Sequence, residues 1–294
     1  MSTSNPTTKQ AQSGSPATQP SDALALSELP PLVTKGRSEG RERLIRYGVS
    51  IGAVLVVLIA WQIVGGRINP ILLSTPVKTV QAFGTLVGNG QLGTAFGTAM
   101  EDLSLGLALA VIVGIAAGIW IGRSPLVERI TDPFINFFQA TPLIAIVPLL
   151  VIWFGIGLEA RVAVTFMLSV WSIIINTSVG VKQTPANLLD VGRIYHLNRW
   201  QVIRQIALPS AVPSIFAGLR IGLGKALIGM MIAEMEVSVT GLGGLVVNYG
   251  DEFRTDYLLA GVFTASIVGV IAAAVIELIR RLAFPWAGRP DEAH

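Results

Sequence analysis

Residues 103–122 read LSLGLALAVIVGIAAGIWIG, twenty consecutive positions without a charge. A bilayer core about 30 Å thick is crossed by a helix of about 20 apolar residues, so this stretch reads as a transmembrane helix. The run is continuous rather than alternating, which argues against a membrane strand. Five more stretches read the same way: 49–64, 140–156, 162–181, 211–233 and 258–279. The first is a little short, 140–156 is interrupted by Pro142 and Pro148, and 211–233 carries Arg220 and Lys225. The expected fold class is an all-α polytopic membrane protein with six transmembrane helices.

Composition agrees. Of 294 residues, 52% are hydrophobic and 13% charged, about half the roughly 25% charge of a soluble domain. There is no cysteine, and the histidines are His196 and His294. That excludes disulfide frameworks, thiolate chemistry and a Cys/His zinc site; no metal site is expected. Residues 1–42 are rich in Ser, Thr, Pro and Gly and cannot bury enough surface to order themselves. They read as a disordered cytoplasmic tail rather than a signal peptide, because no apolar stretch follows a short basic start. Residues 43–287 form the transmembrane domain, and 288–294 a short C-terminal tail.

The positive charges set the orientation. With the N-terminus in the cytoplasm, fifteen of the 21 Lys and Arg residues fall inside. Four (Arg67, Lys78, Arg161 and Arg254) fall outside, and Arg220 and Lys225 lie within a span. This asymmetry satisfies the positive-inside rule and places both termini in the cytoplasm. Small residues recur every fourth position in three spans: Gly106, Ala110, Gly114, Gly118 and Gly122; Ser214, Gly218, Gly222 and Ala226; Gly261, Ala265, Gly269 and Ala273. Lipid supplies no hydrophobic drive between helices, so such stripes mark close helix contacts. These three helices are expected to pack tightly, within a subunit or across a dimer.

The longest interior loop, 182–210, carries apolar residues at helical spacing between Pro185 and Pro209. One or two short amphipathic helices are expected there. They read either as an interfacial element with Trp200 at the headgroups or as a docking element for a cytosolic partner. The stretch 189–234, LDVGRIYHLNRWQVIRQIALPSAVPSIFAGLRIGLGKALIGMMIAE, resembles the signature region of the inner-membrane permease of binding-protein-dependent ABC importers. It is most similar to the aliphatic-sulfonate, taurine and nitrate branch. That family's motif runs Glu-Ala-Ala, three residues, Gly, nine residues, Ile-x-Leu-Pro. Anchored on Ile206-Ala207-Leu208-Pro209, it places the acid at Asp190, the alanines at Val191 and Gly192, and the glycine at His196. His196 is a departure, and it falls in the turn of the loop. Leu73-Ser74-Thr75-Pro76, Thr141-Pro142, Trp153-Phe154-Gly155-Ile156-Gly157 and Thr240-Gly241-Leu242-Gly243 also resemble the family, which extends over roughly residues 45–285.

The resemblance implies a membrane subunit that works as a pair and has no ATPase of its own. It implies a cytoplasmic coupling helix between helices 4 and 5, within 190–207, docking on one of two cytosolic ATP-binding subunits. Asp190, Val191, Gly192, Tyr195, His196, Leu197, Trp200 and Pro209 are its candidate residues. ATP and Mg would sit on those partners, with no cofactor on this chain. A periplasmic or lipid-anchored solute-binding protein would deliver the cargo. No nucleic-acid partner is expected. The residues agree on the negative side: Gly224-Lys225-Ala226 lacks the rest of a phosphate-binding loop, and Gly241-Leu242-Gly243-Gly244 lacks the last glycine of a dinucleotide fingerprint.

Arg220 and Lys225 demand a reason, since a charge at mid-membrane costs at least about 2.5–3.5 kcal/mol. Five residues apart on a helix, they point about 140° from one another. One of them lining a translocation path would favour an anion; the bland reading ties Arg220 to backbone carbonyls or to an acid such as Glu234 or Glu277. Glu234, at the far end of the same span, reads as a gate or inter-subunit partner, or as a carboxylate in interfacial water. Asp251, Glu252 and Asp256 fall in the following outer loop. The expected cargo is a sulfonate or nitrate-like anion, with vitamin precursors and aromatic carboxylates as alternatives. The competing class, an ion-driven secondary transporter, would show paired broken helices and mid-membrane acids. An intramembrane enzyme would need a nucleophile and base, which one loop histidine does not supply.

Overall fold

The computed structural model describes residues 39–285, with side chains from residue 48. The expected tails lie outside them, except that a helix already begins at Glu39. The described residues form helices α1 (Glu39–Arg67), α2 (Pro76–Gly88), α3 (Gln91–Arg123) and α4 (Pro125–Ala140). A 3-10 turn at Leu143–Ile146 runs into α5 (Val147–Phe154), followed by α6 (Leu158–Lys182), α7 (Ala186–Ile194) and α8 (Arg199–Val202). A π-turn at Ile203–Ala207 leads into α9 (Leu208–Glu236), and α10 (Gly241–Asp251) and α11 (Thr255–Ala283) complete the chain. No strand occurs among the described residues.

Five helical stretches are long and apolar enough to cross a membrane. A sixth span exists only if α4 and the 143–154 helix are counted together across their 92° bend. The proline-interrupted span expected at 140–156 is instead the second half of a bent pair that begins at Pro125. Pro142 has no amide to donate and forces Thr141 into an extended conformation (φ −74°, ψ 132°). The twelve residues left beyond it reach only about 18 Å. Helices α2, α4 and α10 were not anticipated. Helix α2 begins on Thr75, whose Oγ1 accepts from the Lys78 amide at 3.4 Å, with Pro76 in its first turn. Helix α10 is eleven residues with four glycines, GLGGLVVNYGD, too short and too poor in helix formers to read from pattern.

The chain divides into two compact units at Val57–Leu58, within α1. Before the division, Val49, Ile51, Val54 and Val57 are all exposed, an apolar surface of the kind lipid covers. After it, Trp61 Nε1 donates to the Ser74 carbonyl at 2.9 Å, and its ring lies 5.8 Å from Phe263.

Helix α6 is the centre of the second unit, lying between α3 and α9. The glycine stripes of α3 and α9 both meet α6 rather than each other. A Cβ on Gly118 of α3 would fall 2.5 Å from Thr177 Cβ and 2.8 Å from the Ile174 carbonyl. A Cβ on Gly222 of α9 would fall 2.9 Å from Ile173 Cγ1. Backbones approach this closely only where one side has no side chain. Helix α11 sets Gly261 against Val246 of α10 and Gly269 against Leu227 of α9.

Candidate functional site

Apart from Glu234, the sequence-selected residues fall in two separate regions, and a third polar site was not among them. The first region is the 186–207 loop. Helix α7 ends in a left-handed turn at His196, φ 51°. The Leu197 amide donates to the Gly192 carbonyl at 2.9 Å, and the His196 amide to the Arg193 carbonyl at 3.0 Å. This is a Schellman cap, which favours glycine at its left-handed position. The position is the one where the family pattern has glycine; His is one of the non-glycine residues found there more often than most. The turn that His196 put in question is therefore formed. Asn198 then opens α8 with a capping box: its side chain accepts from the Gln201 amide, and its own amide donates to Gln201 Oε1, both at 2.8 Å.

Within the loop, Gly192 is buried, where a Cβ would lie 2.9 Å from Ile206 Cδ1. Leu197 is half-buried beside it, and Pro209 starts α9. Ile194, Tyr195 and Trp200 instead stand 73%, 74% and 68% exposed. Val191 is exposed as well, and Asp190 pairs with Arg193 at 2.8 Å on the surface. The loop is anchored to the bundle by Arg123, whose guanidinium donates to the Arg199 carbonyl at 2.8 Å. Lys182 at the end of α6 pairs with Glu128 of α4 at 2.5 Å.

The second region is the exposed face of α9. Arg220 and Lys225 are both exposed and have no ion pair or hydrogen bond among the described residues. The alternatives considered for Arg220 are not realised: Glu277 is taken by Arg280 and Arg281, each at 2.7 Å, and Glu234 by α10. Lys225 lines a cleft of about 240 Å³ with Thr141, Pro142, Leu143, Ile144, Leu168 and Ile228. Arg220 does not border it.

Glu234 belongs to neither surface. It is fully buried, not in interfacial water, because the turn after α9 folds back over it. Its Oε2 accepts from the Gly243 amide at 2.7 Å. This serves the third residue of α10, whose own cap position, Thr240, supplies no side-chain bond. A carboxylate there is favoured by the positive end of the helix. Gly241 makes the wrap possible: φ is 63°, and a Cβ would overlap the Glu234 carboxylate.

The third site is a buried ion pair. Arg161 Nε of α6 donates to Asp102 Oδ2 of α3 at 2.7 Å, and a terminal nitrogen of Arg161 donates to Ser238 Oγ at 2.9 Å. Asp102 is fully buried. The cluster ties α3, α6 and the turn after α9 together. Sequence reasoning had counted Arg161 only as an outer positive. The available signal was that Asp102 and Arg161 each sit one residue before an apolar run.

This architecture is that of an all-helical membrane component: glycine-packed helices long enough to span, a helix pair bent by 92°, and an apolar-tipped loop anchored to the bundle by Arg123. Residues 110–287 match the model of the binding-protein-dependent transport system inner membrane component, and the chain belongs to that family. The taurine transport system permease TauC of Escherichia coli (strain K12) is 31% identical, covering 82% of this chain and 90% of TauC. The nitrate import permease NrtB of Synechocystis sp. is 30% identical, covering 83% of this chain and 90% of NrtB. Among solved structures, a chain of the MetNI methionine ABC transporter in inward-facing conformations matches with a TM-score of 0.56. It covers 68% of this chain and 98% of that one at 18% identity, a likeness of fold.

Proposed function

We propose that this chain forms half of the translocation path of an ATP-driven importer for a small anion, and that the α7–α8 loop couples it to ATP hydrolysis on a separate cytosolic subunit. Two copies of the chain would pair in the inner membrane, each engaging one ATP-binding subunit, with a solute-binding protein delivering cargo to the opposite face. The bent α4–α5 pair counts as one span in this reading, giving six spans with both termini and the 186–207 loop in the cytoplasm. The positive-inside count supports that orientation. ATP and Mg belong to the partner, and this chain is no enzyme. A sulfonate or nitrate-like cargo is supported by the relatives' transport of taurine and nitrate and by the unpaired Arg220 and Lys225.

The observation that carries the reading is the loop itself. Ile194, Tyr195 and Trp200 are held on two capped helices, with their apolar surface exposed. Large aromatic and apolar groups fixed on a rigid turn are what a protein groove recognises. Replacing Ile194 and Trp200 together by Asp is expected to abolish co-purification of the ATP-binding subunit. The chain should still insert in the membrane and keep its thermal unfolding profile. Retained co-purification would refute the coupling role.

A further inference from the structure

Lys225 is seventeen residues beyond Leu208 and eleven before Glu236 on one continuous helix. At 1.5 Å per residue it lies roughly 16 Å or more from either end. An ammonium at that depth is costly in lipid and marks a wet or liganded position. No acid answers it among the described residues. Facing it across the cleft is the break in the bent span at Thr141–Ile144. There Leu143 and Ile144 open the 3-10 turn, where amides have no intrahelical acceptor, and no side chain caps them. Irregular backbone at membrane depth persists only where protein buries it or a polar cavity bathes it. A free cation and the uncapped start of a helical turn, on two elements far apart in sequence, thus border the same small space. The rest of the lining, Pro142, Leu168 and Ile228, is apolar, as in sites that strip an ion of most of its water while a few polar groups hold it.

We propose that the cleft between the Thr141–Ile144 break and Lys225 is a binding site for a small oxyanion, a sulfonate or nitrate, with the Lys225 ammonium as its counter-charge. Its volume of about 240 Å³ suits a small ion rather than a bulky organic acid. Arg220, about 140° away on the same helix, takes no part. The proposal rests on the transport reading above but names one site and one ligand chemistry.

The absence of cysteine from the chain permits a direct test. Ile228→Cys creates the sole thiol on the lining while leaving Lys225 in place, and it is probed in membrane vesicles with water-soluble methanethiosulfonate reagents, with and without a second change, Lys225→Met, that should remove protection by anions. The ethylammonium and ethylsulfonate reagents are both expected to label it. Ethanesulfonate or nitrate in the medium should slow labelling several-fold, whereas sorbitol should not. No labelling, or labelling that anions do not slow, would overturn the site. This readout needs neither the ATPase nor import, so it stands apart from the transport reading, which fails separately if no ATP-binding subunit co-purifies. In proteoliposomes holding the complete importer, ethylammonium modification is expected to restore the import of labelled taurine or nitrate that Lys225→Cys loses, at least tenfold. Ethylsulfonate modification should not restore it, and Lys225→Arg should retain import. Equal import after the two modifications would overturn the counter-charge role.

Discussion

Arg161 Nε lies 2.7 Å from Asp102 Oδ2, joining the central helix α6 to α3 through a carboxylate fully withdrawn from solvent. The same guanidinium reaches Ser238, so one side chain fastens three elements. Removing one partner of a buried pair strands the other, at a cost of about 3–5 kcal/mol, whereas removing both leaves apolar packing. Arg161→Met or Asp102→Leu alone is expected to lower the unfolding temperature sharply. The double variant should be milder than the sum of the two. Thermal unfolding of the detergent-purified permease reads this, and strict additivity would refute the coupling.

Gly118 and Gly97 lie on the same helix and should respond oppositely to a methyl group. Gly118→Ala would drive its Cβ into Thr177 and the Ile174 carbonyl, forcing α3 and α6 apart. Gly97→Ala meets nothing within 4 Å and gains up to about 1 kcal/mol of helix propensity. The expected outcome is loss of folded permease for the first and a neutral or raised unfolding temperature for the second.

Glu234 acts on α10 as an acceptor, so Glu234→Gln should preserve most of the fold. Glu234→Leu orphans the buried Gly243 amide, at about 1–3 kcal/mol. Gly241→Ala should be the most damaging of the three, because it combines a left-handed backbone with overlap on the carboxylate. Folded yield on size-exclusion chromatography orders the series, and a Gly241→Ala yield above that of Glu234→Gln would contradict it.

His196→Gly should retain import and match or exceed the stability of the natural chain, since a left-handed L-residue costs about 1–2 kcal/mol and glycine avoids most of that. His196→Val should lose more, because a β-branched residue is a poor occupant of that region. A lower unfolding temperature for His196→Gly than for His196→Val would show that the imidazole, not the turn, is what matters.

Where the apolar lengths lie was legible in the order of residues alone. Four of the six expected runs, 103–122, 162–181, 211–233 and 258–279, sit inside α3, α6, α9 and α11, and 49–64 sits inside α1. Apolar length is a local property, so it could be read without knowing any neighbour. The π-turn, the caps of Thr75 and Asn198 and the eleven-residue α10 were not read as elements. They are short, so no apolar period has room to stand out in them.

Which surfaces meet is settled by the folded arrangement of the helices. The stripe at Gly106–Gly122 could have faced any helix, and its partner proved to be α6, whose own facing residues include Thr165, Ile173 and Thr177. Nothing near Glu234 in the chain announces that α10 will fold back onto it, nor does Arg161 announce Asp102, fifty-nine residues away. Lys225 was legible as an anomaly because a charge in an apolar run conflicts with its solvent. That it borders the bend at Thr141–Ile144 while Arg220 does not is set by helix rotation against distant segments, which no local pattern encodes.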